Sequence, residues 1–577
     1  MTQAVTHPQT LNPLLGELRE HFKQVFSEVV VAKILNVALV LVLAPLSASA
    51  TLAEQAHFSS PCRHLLLNHF TPLQSSSAPP AFFSSEETND GLPAAPTAPA
   101  EPPSSQGFRY EQDLLGSKPV PVDAYYGVQT VRAQENFPIS RTMVHDYPLF
   151  IKALALVKQA AADSNLQLGL LPPDIHQAIT RASSELSTGR YNNQFAISMF
   201  QGGAGTSTNM MVNEIIANIA SEQAGREKGT YDLVHPNDHV NMSQSTNDFY
   251  PTAIKLALLM MSENLKAELQ SLQGAFFDLG QRYLENLKMG RTEFQDAVPM
   301  TSGQEFLSFA AALEWEYENI VAAEKALLAI NMGGTAIGTQ INAPLDFPQV
   351  FADNLTRLTG QTFAPARDLI AGTWSMHSFV VYSSALKSAA VTLTKISRDL
   401  MLLSSGPRNG LFEIRLPERQ PGSSIMPGKV NPVMPEVLTQ VSLRVMANDL
   451  AVTLAAENGV LQLNPYEPLV ALSLFESLDL LSSILPAFRE YCVEGLVVNT
   501  EVTRQHISTT AGIVTALVPV IGYKASTKIA AEAYRTGRGV LELIREQGLL
   551  SEQQIEELLD PATMTNLNKT KNAGELD

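Results

Sequence analysis

Between about 250 and 500, apolar residues recur at the spacing of helix turns rather than of strands. Phe306, Phe309, Leu313, Tyr317, Ile320 and Leu327 follow one another at intervals close to three or four, which predicts one buried stripe on a long helix. Similar blocks over about 250–285, 374–404, 435–460 and 466–498 contain few breakers and predict further long helices. Several such helices with broad apolar surfaces predict a bundle, buried between subunits as well as within one. Nearer the carboxyl end, Val540 to Gln547 reads as the end of a helix stopped by Gly548. There Ser551-x-x-Gln554 is a capping box that opens a helix from Glu552 to Leu559.

Residues 1 to about 107 follow another pattern. The run from Val29 to Leu46 is strongly apolar, with Lys33 near its start and Ser47-Ala48-Ser49-Ala50 behind it, the arrangement of an export signal with its cleavage site. Three readings stand side by side: an export signal, a short membrane anchor, or an incidental extension upstream of the working chain. As an anchor, its uncharged part from Ile34 to Leu46 falls short of the ~20 residues a span needs. From about Thr71 onward Pro, Ser and Ala dominate, a composition that buries too little apolar surface to fold and reads as a linker.

Composition narrows the function classes. A formal charge of -18 and a pI near 5.1 exclude nucleic acid as an expected partner, since nucleic acid selects basic surfaces. A small anionic substrate is still admitted, because a local cluster of donors decides its binding and not the net charge. Cys62 and Cys492 lie far apart, which predicts neither a disulfide framework nor a thiolate metal site and fits a reducing compartment.

The most informative stretch is Gly422-Ser423-Ser424-Ile425-Met426-Pro427-Gly428-Lys429-Val430-Asn431-Pro432, with Pro435-Glu436 shortly after. Its glycines and prolines forbid a regular helix until about Pro435, so it is a polar loop between helices. A serine hydroxyl serves as a base only if its alkoxide is stabilised. Lys429 and the successive N–H groups of the Gly-Ser-Ser turn are suitable donors for that. Alternatively, Lys429 and Asn431 alternate along an extended piece and grip a substrate carboxylate. Three more runs carry donors. Gln201-Gly202-Gly203-Ala204-Gly205-Thr206 lets backbone approach a ligand, and His235 to Asp248 places Ser245, Thr246 and Asn247 ahead of a helix. In both, helix capping is the competing reading. The third, Gly290-Arg291-Thr292-Glu293, draws its interest from the family comparison below.

The run GSSIMPGKVNP resembles the signature loop of the aspartase/fumarase superfamily, enzymes that eliminate ammonia, water or another amine to leave fumarate. With the segment from Asp123 to Phe137, the resemblance covers roughly residues 108 to 577. It implies a mainly α, three-domain fold: an N-terminal lyase domain at 108–245, a central long-helix bundle at 246–500 and a small C-terminal domain at 501–577. It implies a homotetramer whose active sites are shared between subunits. By the same resemblance Ser423 is the catalytic base, and Thr206, Ser245, Thr246, Asn247, Thr292, Glu293, Ser424, Lys429 and Asn431 surround the substrate, with Glu436 supporting. His235 and Asn237 match a family site where anions bind outside the catalytic pocket, while His239 reads as structural. Fumarases, and some aspartases, carry His where this chain has Glu293, and the fumarase loop continues differently after NPVM. Pro435-Glu436 and Asp368-Leu369-Ile370 instead resemble the aspartase branch. The implied reaction is therefore the elimination of ammonia from L-aspartate to fumarate, with fumarate hydration or a catalytically retired structural homologue as alternatives. No cofactor or metal ligand set is expected, activation by a divalent cation such as Mg2+ stays open, and the catalytic unit is expected in the cytoplasm unless the segment near 29–50 exports or anchors it.

Overall fold

The structure, a computed structural model, describes residues 107–565. The apolar run at 29–46, Cys62 and the Pro/Ser/Ala-rich stretch lie outside them. The described chain opens with a hairpin of β1 (Phe108–Asp113) and β2 (Gly116–Pro121), followed by α1 (Val128–Asn136), α2 (Pro148–Gln167), α3 (Pro173–Ser187) and α4 (Thr206–Gln223). Two buried carboxylates tie this region together. Glu214 on α4 accepts the N–H groups of Gly127 and Gln129 at 2.8 Å each and the Thr130 hydroxyl at 2.6 Å, which satisfies the open N-terminus of α1. Glu111 pairs with Arg109 at 2.8 Å and accepts the Tyr231 hydroxyl at 2.9 Å. Burial pushes the Glu214 carboxyl up to about 7, against the three donors that hold it down.

Long helices then form the body: α5 (Thr246–Arg282), α6 (Ser302–Glu324), α7 (Phe347–Thr359), α8 (His377–Leu403), α9 (Val433–Glu457) and α10 (Glu467–Phe488). At 37 residues α5 is the longest, about 55 Å at the usual rise. Its first half is buried on every side, and its second half buries Leu265, Leu269, Leu272, Phe276 and Leu279, a four-three alternation that keeps one seam inward. α6 and α10 pack along α5, α8 packs against α6 and α9, and α9 against α10. The expected stripe on α6 is buried at Phe306, Phe309, Leu313 and Ile320, while Tyr317 is half-buried; the helix ends at Glu324 and Leu327 enters the core from a 3-10 turn. α9 starts two residues before the expected Pro435, because a proline in the first helical turn deletes an N–H that has no partner there.

Between α5 and α6 stands an exposed-tipped hairpin, β3 (Leu287–Thr292) and β4 (Gln295–Thr301). After α10 the chain forms α11 (Thr500–Thr509), α12 (Val514–Ile521), α13 (Tyr523–Thr536), α14 (Val540–Glu546) and α15 (Glu552–Leu558) around a second, smaller core. That core also takes in Met289 of β3. The hairpin, which the sequence groups with the central bundle, thus packs its buried side into the carboxyl-terminal unit. The capping box at α15 is formed: the Gln554 N–H donates to Ser551 Oγ at 3.2 Å and the Ser551 N–H to Gln554 Oε1 at 2.9 Å.

Candidate active site

The serine loop is closed at its neck. The Gly422 N–H donates to the Lys429 carbonyl at 2.7 Å, and Asn431 Nδ2 donates to the Gly422 carbonyl at 2.9 Å. Only glycine fits there, since a Cβ at 422 would lie 2.8 Å from the Lys429 oxygen and 2.9 Å from the Asn431 nitrogen. Within the loop Ser423 Oγ accepts two backbone N–H groups, from Ile425 at 3.2 Å and Met426 at 3.0 Å. Both donors aim at the oxygen that would carry charge as an alkoxide, and neither needs to reorganise when it forms. They lie beyond the Gly-Ser-Ser turn that the sequence singled out, so the nest is built one step further along the chain. Ser424 and Lys429 are exposed, and the Lys429 ammonium makes no hydrogen bond or ion pair with any described residue. Asn431 was expected to grip a carboxylate. Its amide nitrogen instead closes the loop neck, which leaves its second N–H and its oxygen for other partners. Glu436 is exposed in the first turn of α9, where the helix dipole favours a carboxylate.

A second group gathers at the N-termini of α4 and α5. Gly205 caps α4 with φ of +88°, and a Cβ there would meet the Tyr250 ring at 2.5 Å. Thr206 is exposed and its hydroxyl donates to the Gly203 carbonyl at 2.7 Å, a contact within the turn and not a helix cap, since Gly205 in the cap position has no side chain. Ser245 does cap α5: its Oγ accepts the Asn247 N–H at 3.3 Å, and its own N–H donates to Asp248 Oδ1 at 2.9 Å. Capping leaves the hydroxyl proton of Ser245 unassigned, so the two roles are compatible. Thr246 Oγ1 accepts from Asn209 Nδ2 at 3.0 Å. Asn247 is tied on both sides, its Nδ2 to the Ala336 carbonyl at 2.7 Å and its carbonyl to Asn331 Nδ2 at 2.9 Å. Its main task in this chain is to join α5 to the turn near 336.

That turn is the part sequence reasoning missed. Asn331 to Gly338 folds back onto the head of α5, with the N–H groups of Gly333 and Thr335 both on Asp248 Oδ2, at 3.0 and 2.8 Å. Thr335 holds φ of +57°, a costly position for a β-branched residue, and the Asp248 bond is what fixes it. Burial raises the Asp248 carboxyl to about 6, although the N–H groups of Ser245, Thr335 and Gly333 all favour its charged form. The signal was present as Gly333-Gly334-Thr335 with Gly338, three glycines in six residues where the 202–205 run has three in four.

The third group stands apart. Thr292 and Glu293 are exposed at the tip of the β3–β4 hairpin, where Glu293 and Phe294 form a two-residue turn with φ of +53° and +64°. Neither residue makes a side-chain hydrogen bond or ion pair with the serine loop or with the heads of α4 and α5. The hairpin base is fixed by charge: buried Glu413 receives Arg291 at 2.7 Å, Lys288 at 3.1 Å and His506 Nδ1 at 2.9 Å. Burial alone would raise the Glu413 carboxyl, but Lys288, Arg291 and His506 together hold it below the usual range. His235 is committed to capping, its Nδ1 accepting from Asn237 and Asp238 N–H at 3.3 and 3.2 Å, and His239 Nδ1 accepts the His235 N–H at 2.9 Å, a structural contact. Among the described residues no group of three or more His, Cys, Asp or Glu side chains is arranged to hold a metal ion. A cavity of about 370 Å³ lined by Asp278, Arg282, Arg489 and Glu494 contains none of the residues of the serine loop, the heads of α4 and α5 or the hairpin tip.

The chain was compared with known proteins. The family model described as Lyase matches residues 116–447, and one described as Fumarase C C-terminus matches residues 513–566. An aspartate ammonia-lyase of Pseudomonas aeruginosa is 53% identical over 457 residues, which span 79% of this chain and 96% of that protein. A crystal structure of a fumarate lyase:delta crystallin from Brucella melitensis, bound to cobalt, superposes with a TM-score of 0.77 at 46% identity, covering 79% of this chain and 99% of that one. A class II fumarase from Schistosoma mansoni does so with a TM-score of 0.75 at 34% identity, with the same coverage.

Proposed function

This chain belongs to the lyase family that includes aspartate ammonia-lyases and class II fumarases, and we propose that it reversibly eliminates ammonia from L-aspartate to leave fumarate. The observation that carries the mechanism is Ser423 Oγ held under two backbone N–H groups. As an alkoxide, Ser423 takes a proton from Cβ, and the electron pair of that C–H bond moves into the adjacent carboxylate to give an aci-carboxylate dianion. Collapse of the dianion forms the Cα–Cβ double bond and breaks the C–N bond. The substrate ammonium departs as neutral ammonia and needs no acid, whereas hydroxide would need one.

The dianion needs donors already in place. Lys429 is the unpaired cation of the loop, and Ser424, the remaining N–H of Asn431 and the hydroxyls of Ser245 and Thr246 complete the set around the two carboxylates, joined by Thr206 when its hydroxyl turns from the Gly203 carbonyl to the substrate. Thr292 and Glu293 enter from another copy of the chain, Glu293 facing the substrate ammonium. Two features support a homotetramer with shared sites. Leu443, Leu450 and Leu454 leave an apolar face of α9 between 49% and 58% exposed, and Ile425 in the serine loop is 84% exposed. No step of the proposed reaction draws on a metal.

The test is the absorbance of the fumarate double bond. It rises when the protein meets L-aspartate and stays flat with L-malate. The reverse would make the protein a fumarate hydratase, and silence with both would overturn the enzymatic reading.

A further inference from the structure

Lys158, in the middle of α2, is wholly buried and has no carboxylate within ion-pairing distance among the described residues. A buried ammonium is costly unless every N–H is satisfied. Here three side-chain carbonyls meet it: Asn209 Oδ1 at 2.8 Å, and Asn241 Oδ1 and Gln244 Oε1 at 3.0 Å each. The Phe249 ring lies below, its centroid 3.8 Å from Nζ. Three acceptors require all three protons of the charged form. Burial pulls the pKa of Lys158 well down, and the nearby Asp248 carboxylate opposes that.

The consequence runs through Asn209. Its oxygen faces Lys158, so its Nδ2 faces the other way, onto Thr246 Oγ1 at 3.0 Å and Asn241 Oδ1 at 3.1 Å. Flipping the amide would set an NH2 group against an ammonium, so the orientation is locked. Thr246 Oγ1 therefore accepts a hydrogen bond from inside the protein, and its own proton is left to point outward as a donor. A hydroxyl that accepts in this way is polarised and donates more strongly.

We propose that Lys158 is a positioning residue that, through Asn209, fixes the Thr246 hydroxyl as a hydrogen-bond donor to a substrate carboxylate. This rests on the proposed reaction, in which Thr246 meets the substrate. It adds a buried cation that never touches the ligand yet sets the sense of the hydrogen bond the ligand receives.

Asn209→Asp separates this from a role in folding. The new carboxylate keeps an acceptor on Lys158 but offers Thr246 only an acceptor, so the hydroxyl turns inward to donate. The expected result is a rise in KM for L-aspartate of ~10- to 100-fold, the size of one lost hydrogen bond to a charged group, whatever Tm change follows from setting the new carboxylate against Asn241 Oδ1. Because the added charge could repel the substrate by itself, the change is repeated in Thr246→Val. There Asn209→Asp should add little further loss, since both substitutions remove the same donor. A wild-type KM in Asn209→Asp overturns the proposal, and so does an undiminished loss in the Thr246→Val background. Should Asn209→Asp fail to fold, Lys158→Met serves, with fumarate binding measured by calorimetry: affinity falls to the level of Thr246→Val if the proposal holds, and stays at wild type if it does not. Failure of the reaction assignment looks different, because the unmodified protein would then not turn over L-aspartate at all.

Discussion

Replacing Gly422 by alanine tests whether the closed neck of the loop positions the base. The added methyl would lie 2.8 Å from the Lys429 carbonyl oxygen, 2.9 Å from the Asn431 nitrogen and 3.0 Å from Asn431 Cγ. Two of these are backbone atoms with no freedom to swing aside, so the neck must open. Opening it breaks the Gly422 N–H bond to Lys429 and the Asn431 bond to Gly422. At about 0.5–1.5 kcal/mol net for each bond, the loop loses ~1–3 kcal/mol of preference for its working shape. If that shape is needed in the transition state, kcat/KM falls ~5- to 150-fold, at 1.36 kcal/mol for each factor of ten. The assay is the initial rate of fumarate absorbance over a range of L-aspartate concentrations, with Tm as control. Tm should hold, because the loop belongs to neither buried core. A kcat/KM within twofold of wild type, in a variant of normal Tm, would refute the claim that the neck aligns Ser423.

Two further outcomes follow from buried charge. Glu413→Ala removes the carboxylate shared by Lys288 and Arg291 at the hairpin base; Lys288 keeps Glu305 at 2.6 Å and Arg291 keeps Asp296 at 3.5 Å, so the cost is that of the lost charge-assisted hydrogen bonds, ~1.5–3 kcal/mol, read as a fall in Tm; an unchanged Tm would show that the cluster does not hold the hairpin. Glu214 keeps its proton up to about pH 7 in the fold, against an ordinary value of 4.5. The folded chain then binds more protons than the unfolded one in that window, so the stability this group contributes is full below 4.5 and is lost as pH rises through 7. Glu214→Gln should flatten that part of the Tm-against-pH curve, and equal slopes in the two proteins would contradict the assignment.

Much of the architecture was legible because it rests on local rules. Phe306, Phe309, Leu313 and Ile320 declare a helix stripe by spacing alone, and Ser551 with Gln554 declares a helix start. The serine loop was legible too, through its glycines, prolines and hydroxyls, and so was the direction of the proposed chemistry. What stayed hidden depends on contacts distant in sequence. Nothing in the spacing of Asn247 says that its amide binds the Ala336 carbonyl, or in that of Asn431 that it closes the loop on Gly422. Amide side chains recognise any backbone carbonyl within reach, and reach is set by the fold. The hairpin that carries Glu293 lies, by sequence, inside the bundle, yet Met289 finds its apolar partners some two hundred residues later, in the carboxyl-terminal core. Lys158 sits among alanines on an apolar helix, and only the fold brings three carbonyls to it.

The central claim is that Ser423 removes the Cβ proton. The most direct measurement is the turnover of L-aspartate by Ser423→Ala, followed by fumarate absorbance, with substrate affinity determined alongside by calorimetry. The account predicts that fumarate formation is abolished while L-aspartate still binds. Near-normal turnover in that variant would contradict it and require a different base.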